Sequence, residues 1–285
     1  MSDTTQRLRV FALTTIAMGA FAANSVLCRR ALATTTIDAA TFTSVRLASG
    51  ALMLALIMLL RRNPLRQHGN WFSAAALFAY AAGFSFAYLA LSTGTGALLL
   101  FTAVQTTMIG HALWRGERLR ASQWFGLLLS ITGLVVLLLP GITAPPLFYA
   151  ALMLLAGGAW GVYSIRGRGC ADAAGETAAN FVRAVPLTLA LSAVFYSHMH
   201  FDAAGAVYAV LSGALASGLG YTIWYSALRG LSGTSAAAVQ LSVPVLAALG
   251  GIVWLGEAPT LRLAFASAAI LGGIALVVLV RARPR

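Results

Sequence analysis

The chain has 285 residues, of which 60% are hydrophobic and 9% charged. A soluble domain is about half apolar and about a quarter charged, and a chain of this size has too much surface to hide the excess; a water-soluble fold is excluded and lipid is the expected solvent. The formal charge is +12, all 19 basic residues being arginine, but they punctuate apolar runs rather than form a patch, which predicts membrane topology and no nucleic-acid partner.

About 20 apolar residues cross a bilayer as one helix. In chain order the apolar runs predict ten spans, at 9–28, 38–60, 71–90, 95–114, 122–139, 146–165, 176–196, 203–226, 234–254 and 260–281. Connections such as Pro140–Pro145 and Ser197–Asp202 are a few residues long, and no soluble domain fits between spans. Arg7, Arg9, the apolar run from Val10 and Ala20-Phe21-Ala22 imitate a signal peptide, yet cleavage there would remove a span that has a counterpart later in the chain. With the N-terminus in the cytoplasm, 14 arginines fall on the inner side and 3 (Arg29, Arg30, Arg262) on the outer side. The expected placement is therefore a bacterial-type inner (plasma) membrane with both termini cytoplasmic. The two cysteines, Cys28 and Cys170, fall at opposite membrane faces and form no disulfide framework.

Residues 9–139 resemble residues 146–279. Gly19-Ala20-Phe21 matches Gly158-Ala159-Trp160, Val45-Arg46 matches Val182-Arg183, and Tyr88 to Leu91 matches Tyr225 to Leu228. Gly116-Glu117 matches Gly256-Glu257, and Gly133 matches Gly273, so the offset stays within 137–140 throughout. Five spans per half is an odd number, so the second half must lie upside down relative to the first. The expected fold is an all-α integral membrane protein of ten transmembrane helices in two inverted-topology five-helix repeats, residues 1–143 and 144–285. That is an architecture of secondary transporters, with the solute bound between the repeats.

The five-plus-five repeat, the short loops, Arg46 and Arg183, and the paired Gly-Glu turns resemble the drug/metabolite transporter superfamily, in particular its EamA-type ten-helix exporters. The resemblance covers nearly the whole chain and is nearest to aromatic amino-acid exporters. It implies export of amino acids and related small metabolites through a central cavity by alternating access. One departure stands out: Pro244 lies in the middle of the fourth span of the second half, where the first half has Val104.

Ionisable groups inside a span are expensive and are functional candidates by default. Only Arg46 and Arg183 qualify, while every Asp and Glu is terminal or in a loop, so a buried carboxylate relay has no members; His111, near a span end, is a weak substitute. Pairing Arg46 with Glu257 and Arg183 with Glu117 would latch the two halves at opposite faces, with Pro244 as a hinge. Snorkelling to headgroups, or capture of a solute carboxylate by one arginine, are the other readings. Tyr80, Phe84 and Tyr88 recur every four residues on one face of span three. With Trp160, Tyr163 and Tyr221 they suit an aromatic cavity, although Tyr88, Trp224 and Tyr225 also fit an interfacial belt. Asn24, Thr102, Gln105, Thr106, Asn180, Gln240 and Ser242 are uncharged polar groups at depth, able to line a cavity or to hydrogen-bond between helices.

The chain carries no H-E-x-x-H, C-x-x-C, G-x-S-x-G or G-x-G-x-x-G pattern. His198, His200 and Asp202 share one loop but make a poor metal set, so no cofactor, no metal and no enzymatic activity are expected. The expected partners are a small-molecule substrate (an amino acid) and the lipid bilayer; the sequence does not fix the oligomeric state, and a monomer is compatible with it. Exporters of other drugs, metabolites or sugar-type solutes are the alternative within transport, and a membrane-embedded enzyme is the alternative outside it.

Overall fold

The computed structural model describes residues 3–62, 69–116, 118–141, 143–167, 170, 172–231 and 233–279. Their helices are α1 (Asp3–Thr34), α2 (Ala39–Leu60), α3 (Trp71–Ala87), α4 (Thr93–Trp114) and α5 (Ala121–Leu138), then α6 (Leu147–Gly167), α7 (Ala173–Val194) and α8 (Ala203–Leu228). Helix α9 is in two pieces, Gly233–Gln240 and Ser242–Leu255, and α10 spans Leu261–Leu279. Nine of these segments are long and apolar enough to cross a membrane, and the tenth, α3, is apolar but only 17 residues long.

Helix starts are set by side chains that take up the unpaired first-turn N–H groups. Asp38 accepts from the N–H groups of Ala40 and Thr41, Asn70 from Ser73, Asp172 from Gly175 and Asp202 from Gly205. Two predicted boundaries shift. Helix α1 runs past residue 28 to Thr34 and carries Arg29 and Arg30 on the helix instead of in a loop. Helix α9 breaks at Leu241 because Pro244 has no N–H for the Gln240 carbonyl, as the sequence suggested. Helix α4, with Val104 at the matching position, is unbroken.

The apolar residues are turned outward in a way no aqueous protein tolerates. Leu52, Phe125, Leu189 and Phe265 are among many large exposed side chains along the spans, whereas most of the polar groups at depth are buried. Within the bundle α2 packs on α7 and α5 on α10. Helix α3 lies against α6 and α7 as α8 lies against α1 and α2, and α4 lies on α6 as α9 lies on α1. Exchanging the two halves thus maps each of these contacts onto another of them.

Close crossings depend on small residues, since lipid tails supply no hydrophobic force between helices. At the α5–α10 crossing a Cβ on Gly273 would fall onto the Gly126 carbonyl oxygen and Ser130. Around it Ser130 donates to the Ile270 carbonyl (3.1 Å) and Gln123 to that of Val277 (2.8 Å). Gly273→Val is therefore expected to destabilise the protein by about 1–3 kcal/mol through overpacking, seen as a lower Tm in detergent. Gly272→Ala, whose new Cβ meets open space, is the control and is expected to leave Tm unchanged.

Candidate functional site

The elements bring an aromatic cluster to the middle of the bundle. The Tyr80–Phe84 stripe of α3 faces Phe21 and Asn24 of α1, Phe101 of α4, Trp160 of α6 and Tyr221 of α8. Trp160 is the hub: its ring lies 5.2 Å from Tyr80 in a stacked arrangement, and it meets Phe101 (5.6 Å), Phe21 (5.9 Å) and Tyr221 (6.2 Å) edge-on. The chamber enclosed by these rings has about 10 Å³ of free space, roughly enough for one water. Residues from matching places of the two repeats meet here: Phe21 with Trp160, and Phe84 with Tyr221.

Below it opens a much larger vestibule of about 770 Å³. Its mouth is formed by Arg61 at the end of α2, Cys170 and Asp172 before α7, and Arg229 after α8. All lie on the face where α1 begins. The vestibule narrows past Trp224, Tyr225 and Gln240 to Trp160 and Tyr221, which line both spaces. These two rings are the partition between an open vestibule and a collapsed chamber.

The opposite face is closed by polar contacts at helix ends. After α9 the chain turns through Gly256 in the left-handed region (φ 67°), which returns Glu257 towards the N-terminus of α4. There its carboxylate accepts from the Thr93 N–H (2.9 Å) and hydroxyl (3.0 Å), where the helix dipole favours an anion. Arg29 approaches the same carboxylate (3.6 Å) and donates to the carbonyls of Tyr88 and Leu89 at the end of α3. Arg30 donates to the Trp254 carbonyl (2.7 Å), and the Asp38 carboxylate accepts from the His200 N–H (2.8 Å). Burial opposes ionisation of Asp38, which precedes α2, but hydrogen bonds from Thr41, His200 and Ala40 hold its carboxyl below the usual range. A depressed pKa means that this contact is intact above the ordinary carboxylate range and is lost only as pH falls through the lowered value.

Several expected positions change. Arg46 does not pair with Glu257: it lies deep in α2 and donates from Nη2 to the Tyr80 hydroxyl (2.9 Å), while Glu257 is taken by Thr93 and Arg29 at the helix ends. Arg183 donates to the Ala179 carbonyl of its own helix (3.1 Å); its expected partner Glu117 lies outside the described residues. Asn180 lies at the α3–α7 contact, accepting from the Asn70 N–H (2.9 Å), and Tyr163 donates to Thr177 (3.2 Å). Thr102 is buried but satisfied by the Leu98 carbonyl (2.6 Å), and Gln105 is buried with its Nε2 unpartnered among the described residues. Thr106 and Ser242 are exposed on the outer surface, not in a cavity. Their hydroxyls can bond a carbonyl one turn back, as Ser242 does with Val239 (2.6 Å), so polarity at depth does not force them inward. Tyr88 and Trp224 are buried inside the bundle and Tyr225 lines the vestibule, which removes the interfacial-belt reading for them. Phe21, Phe101, Arg29 and Arg30 were not singled out beforehand. The match of Phe21 to Trp160 was the available signal for the first, and the true length of α1 hid the two arginines.

If the Glu257 contacts hold this face shut, Glu257→Ala removes them from the first turn of α4 and from Arg29. Cys28 is fully buried close to this face. In a Cys170→Ser background, Cys28 is expected to react slowly with a membrane-impermeant maleimide applied from the α4 N-terminal side. Glu257→Ala should accelerate that reaction about tenfold or more, the loss expected for charge-assisted hydrogen bonds. An unchanged rate would show that Glu257 does not hold the face closed.

Two stretches, 9–139 and 147–279, each match the EamA-like transporter family; the first contains α1 to α5 but for the start of α1, and the second α6 to α10. An uncharacterized protein of Pseudomonas aeruginosa is 56% identical over 270 residues, 94% of each chain. A protein of Streptantibioticus cattleyicolor, named a probable terminal-alkyne amino-acid exporter, is 30% identical over 217 residues, covering 74% of this chain and 71% of that one. A solved crystal structure shares the fold at 22% identity with a TM-score of 0.69, covering 94% of this chain and 96% of the other. With both halves matched and the helices long enough to span a bilayer, the chain belongs to the EamA-like transporter family and is a multi-pass membrane transporter.

Proposed function

We propose that the protein is a secondary transporter that exports neutral amino acids, aromatic and large apolar ones among them, from the cytoplasm by alternating access. The observation that carries this reading is the vestibule of about 770 Å³ that leads from one face to an aromatic chamber, beyond which polar contacts join the helix ends of the other face. Arg61 and Arg229 at the vestibule rim support a cytoplasmic open face under the positive-inside rule, and on that reading the conformation loads from inside. The membrane is then the inner (plasma) membrane, with both termini cytoplasmic.

The aromatic walls supply apolar contact for a side chain, while Asn24, Ser25 and Tyr80 supply hydrogen bonds in place of water. The amino-acid exporter named among the relatives agrees with this class. Two halves related by inversion would give inward- and outward-open states of similar energy. Trp160 and Tyr221 would part to admit the solute, and the helix-end contacts of Glu257 and Asp38 would release it on the far side. The chamber is complete within one chain, so a monomer suffices.

Counterflow in proteoliposomes loaded with unlabelled amino acid is the direct measurement. Labelled phenylalanine, tryptophan, leucine or methionine is expected to accumulate, and Trp160→Ala to reduce accumulation by about an order of magnitude by removing the hub of the ring contacts. Accumulation of sugars or cationic drugs with none of the amino acids would overturn the reading.

A further inference from the structure

Arg46 is the least satisfied polar side chain in the described bundle. Its side chain is 2% exposed, and neither Nε nor Nη1 has a hydrogen-bond partner. Its one hydrogen bond goes from Nη2 to the Tyr80 hydroxyl, and the guanidinium rests against the rings of Phe84 (4.7 Å) and Tyr80 (5.3 Å). Ring faces offset only part of what a guanidinium loses on leaving water. The acidic residues whose side chains are described, Asp38, Asp172, Glu176, Asp202 and Glu257, all stand near helix ends, and none pairs with it. A permanent cation thus lies inside the membrane-spanning bundle without a counter-anion among the described residues.

The same cation stands directly behind the chamber wall. Tyr80, Phe84 and Asn24 all line the chamber. The Tyr80 oxygen accepts from Arg46 Nη2 (2.9 Å) and from Asn24 Nδ2 (3.3 Å), and Asn24 is oriented by the Ser212 hydroxyl, which donates to its Oδ1 (2.6 Å). An oxygen that already accepts twice directs its own proton elsewhere, and the chamber is the open side. The arrangement is a hydroxyl donor charged from behind by an arginine and held in place by an amide. It exists once. Arg183, the repeat counterpart of Arg46, bonds its own helix, and the counterpart of Tyr80 at the same offset is Ser217.

We infer that Arg46, Tyr80 and Asn24 form the subsite for a carboxylate of the transported solute. This rests on the export reading above only in naming an amino acid as the bearer of that carboxylate. A solute carboxylate accepts the Tyr80 proton and supplies the missing anion for Arg46, while its side chain lies among the rings of the chamber. Because Trp160 stacks on Tyr80 in the present conformation, entry of the solute requires that stack to separate. A solute with an amide in place of the carboxylate brings no charge to Arg46 and is rejected.

Thermal unfolding of the purified full chain in detergent tests this with three probes: L-phenylalanine, 3-phenylpropionate and L-phenylalaninamide. The two carboxylates are expected to raise Tm and the amide not to. Arg46→Gln should weaken carboxylate binding about ten- to a hundredfold, the range for hydrogen bonds to a charged group. Without ligand it should unfold no earlier than the parent, because it removes an uncompensated charge. Tyr80→Phe keeps both the cation and the aromatic wall, so it decides the matter if Arg46→Gln does not fold; it should weaken carboxylate binding about tenfold. Equal stabilisation by the amide, no stabilisation by any probe, or carboxylate preference that survives both substitutions would overturn the subsite. Arg46-dependent carboxylate binding without amino-acid counterflow would leave the subsite standing and remove the export reading. Counterflow that is indifferent to Arg46→Gln would do the reverse.

Discussion

A lipid interior donates and accepts no hydrogen bonds, so each polar group in these helices must find its partner within the chain. Most do so locally. Thr43, Ser85, Thr102 and Thr222 bond carbonyls one turn back on their own helices. Where two helices approach closely, Ser130 and Gln123 reach across to a neighbour's carbonyls. Against that background the incomplete shell of Arg46 is informative, because the same bundle that satisfies threonines and serines at depth leaves an arginine with two nitrogens unpaired.

The closed face is held in another way. Its contacts use helix ends: the carboxylate of Glu257 on the first turn of α4, and arginines on the carbonyls that end α3 and α9. Groups at helix ends lie near water when separated, so breaking them carries a far smaller desolvation penalty than breaking a contact at mid-membrane. Such contacts would suit the opening that the proposed export requires. The aromatic partition is built differently, from ring contacts of Trp160 with Tyr80 and Phe101 that use no charged group.

Repeated sequence does not produce repeated chemistry. The offset that equates Arg46 with Arg183 also equates Tyr80 with Ser217; the first arginine donates to an aromatic hydroxyl, the second to a carbonyl of its own helix. Similarly, Pro244 interrupts α9 while Val104 leaves α4 continuous. Near-symmetric packing supplies the frame, and these local departures make its two sides chemically different.

The sequence alone determined the solvent, the ten spans, the two repeats and the aromatic stripe of α3, because hydropathy and period depend on neighbours along the chain. It also singled out Arg46, since a charge inside an apolar run is visible without coordinates. Tertiary structure alone decided what each side chain faces. Thr106 and Ser242 turn outward and Tyr88 turns inward because depth in a span leaves the direction around the helix axis open. Helix α1 carries Arg29 into contact with Glu257 because it continues one and a half turns beyond the predicted end. The partner of a buried charge depends on how helices far apart in sequence pack together, and for Arg46 that packing supplies Tyr80 and, among the described residues, no counter-anion.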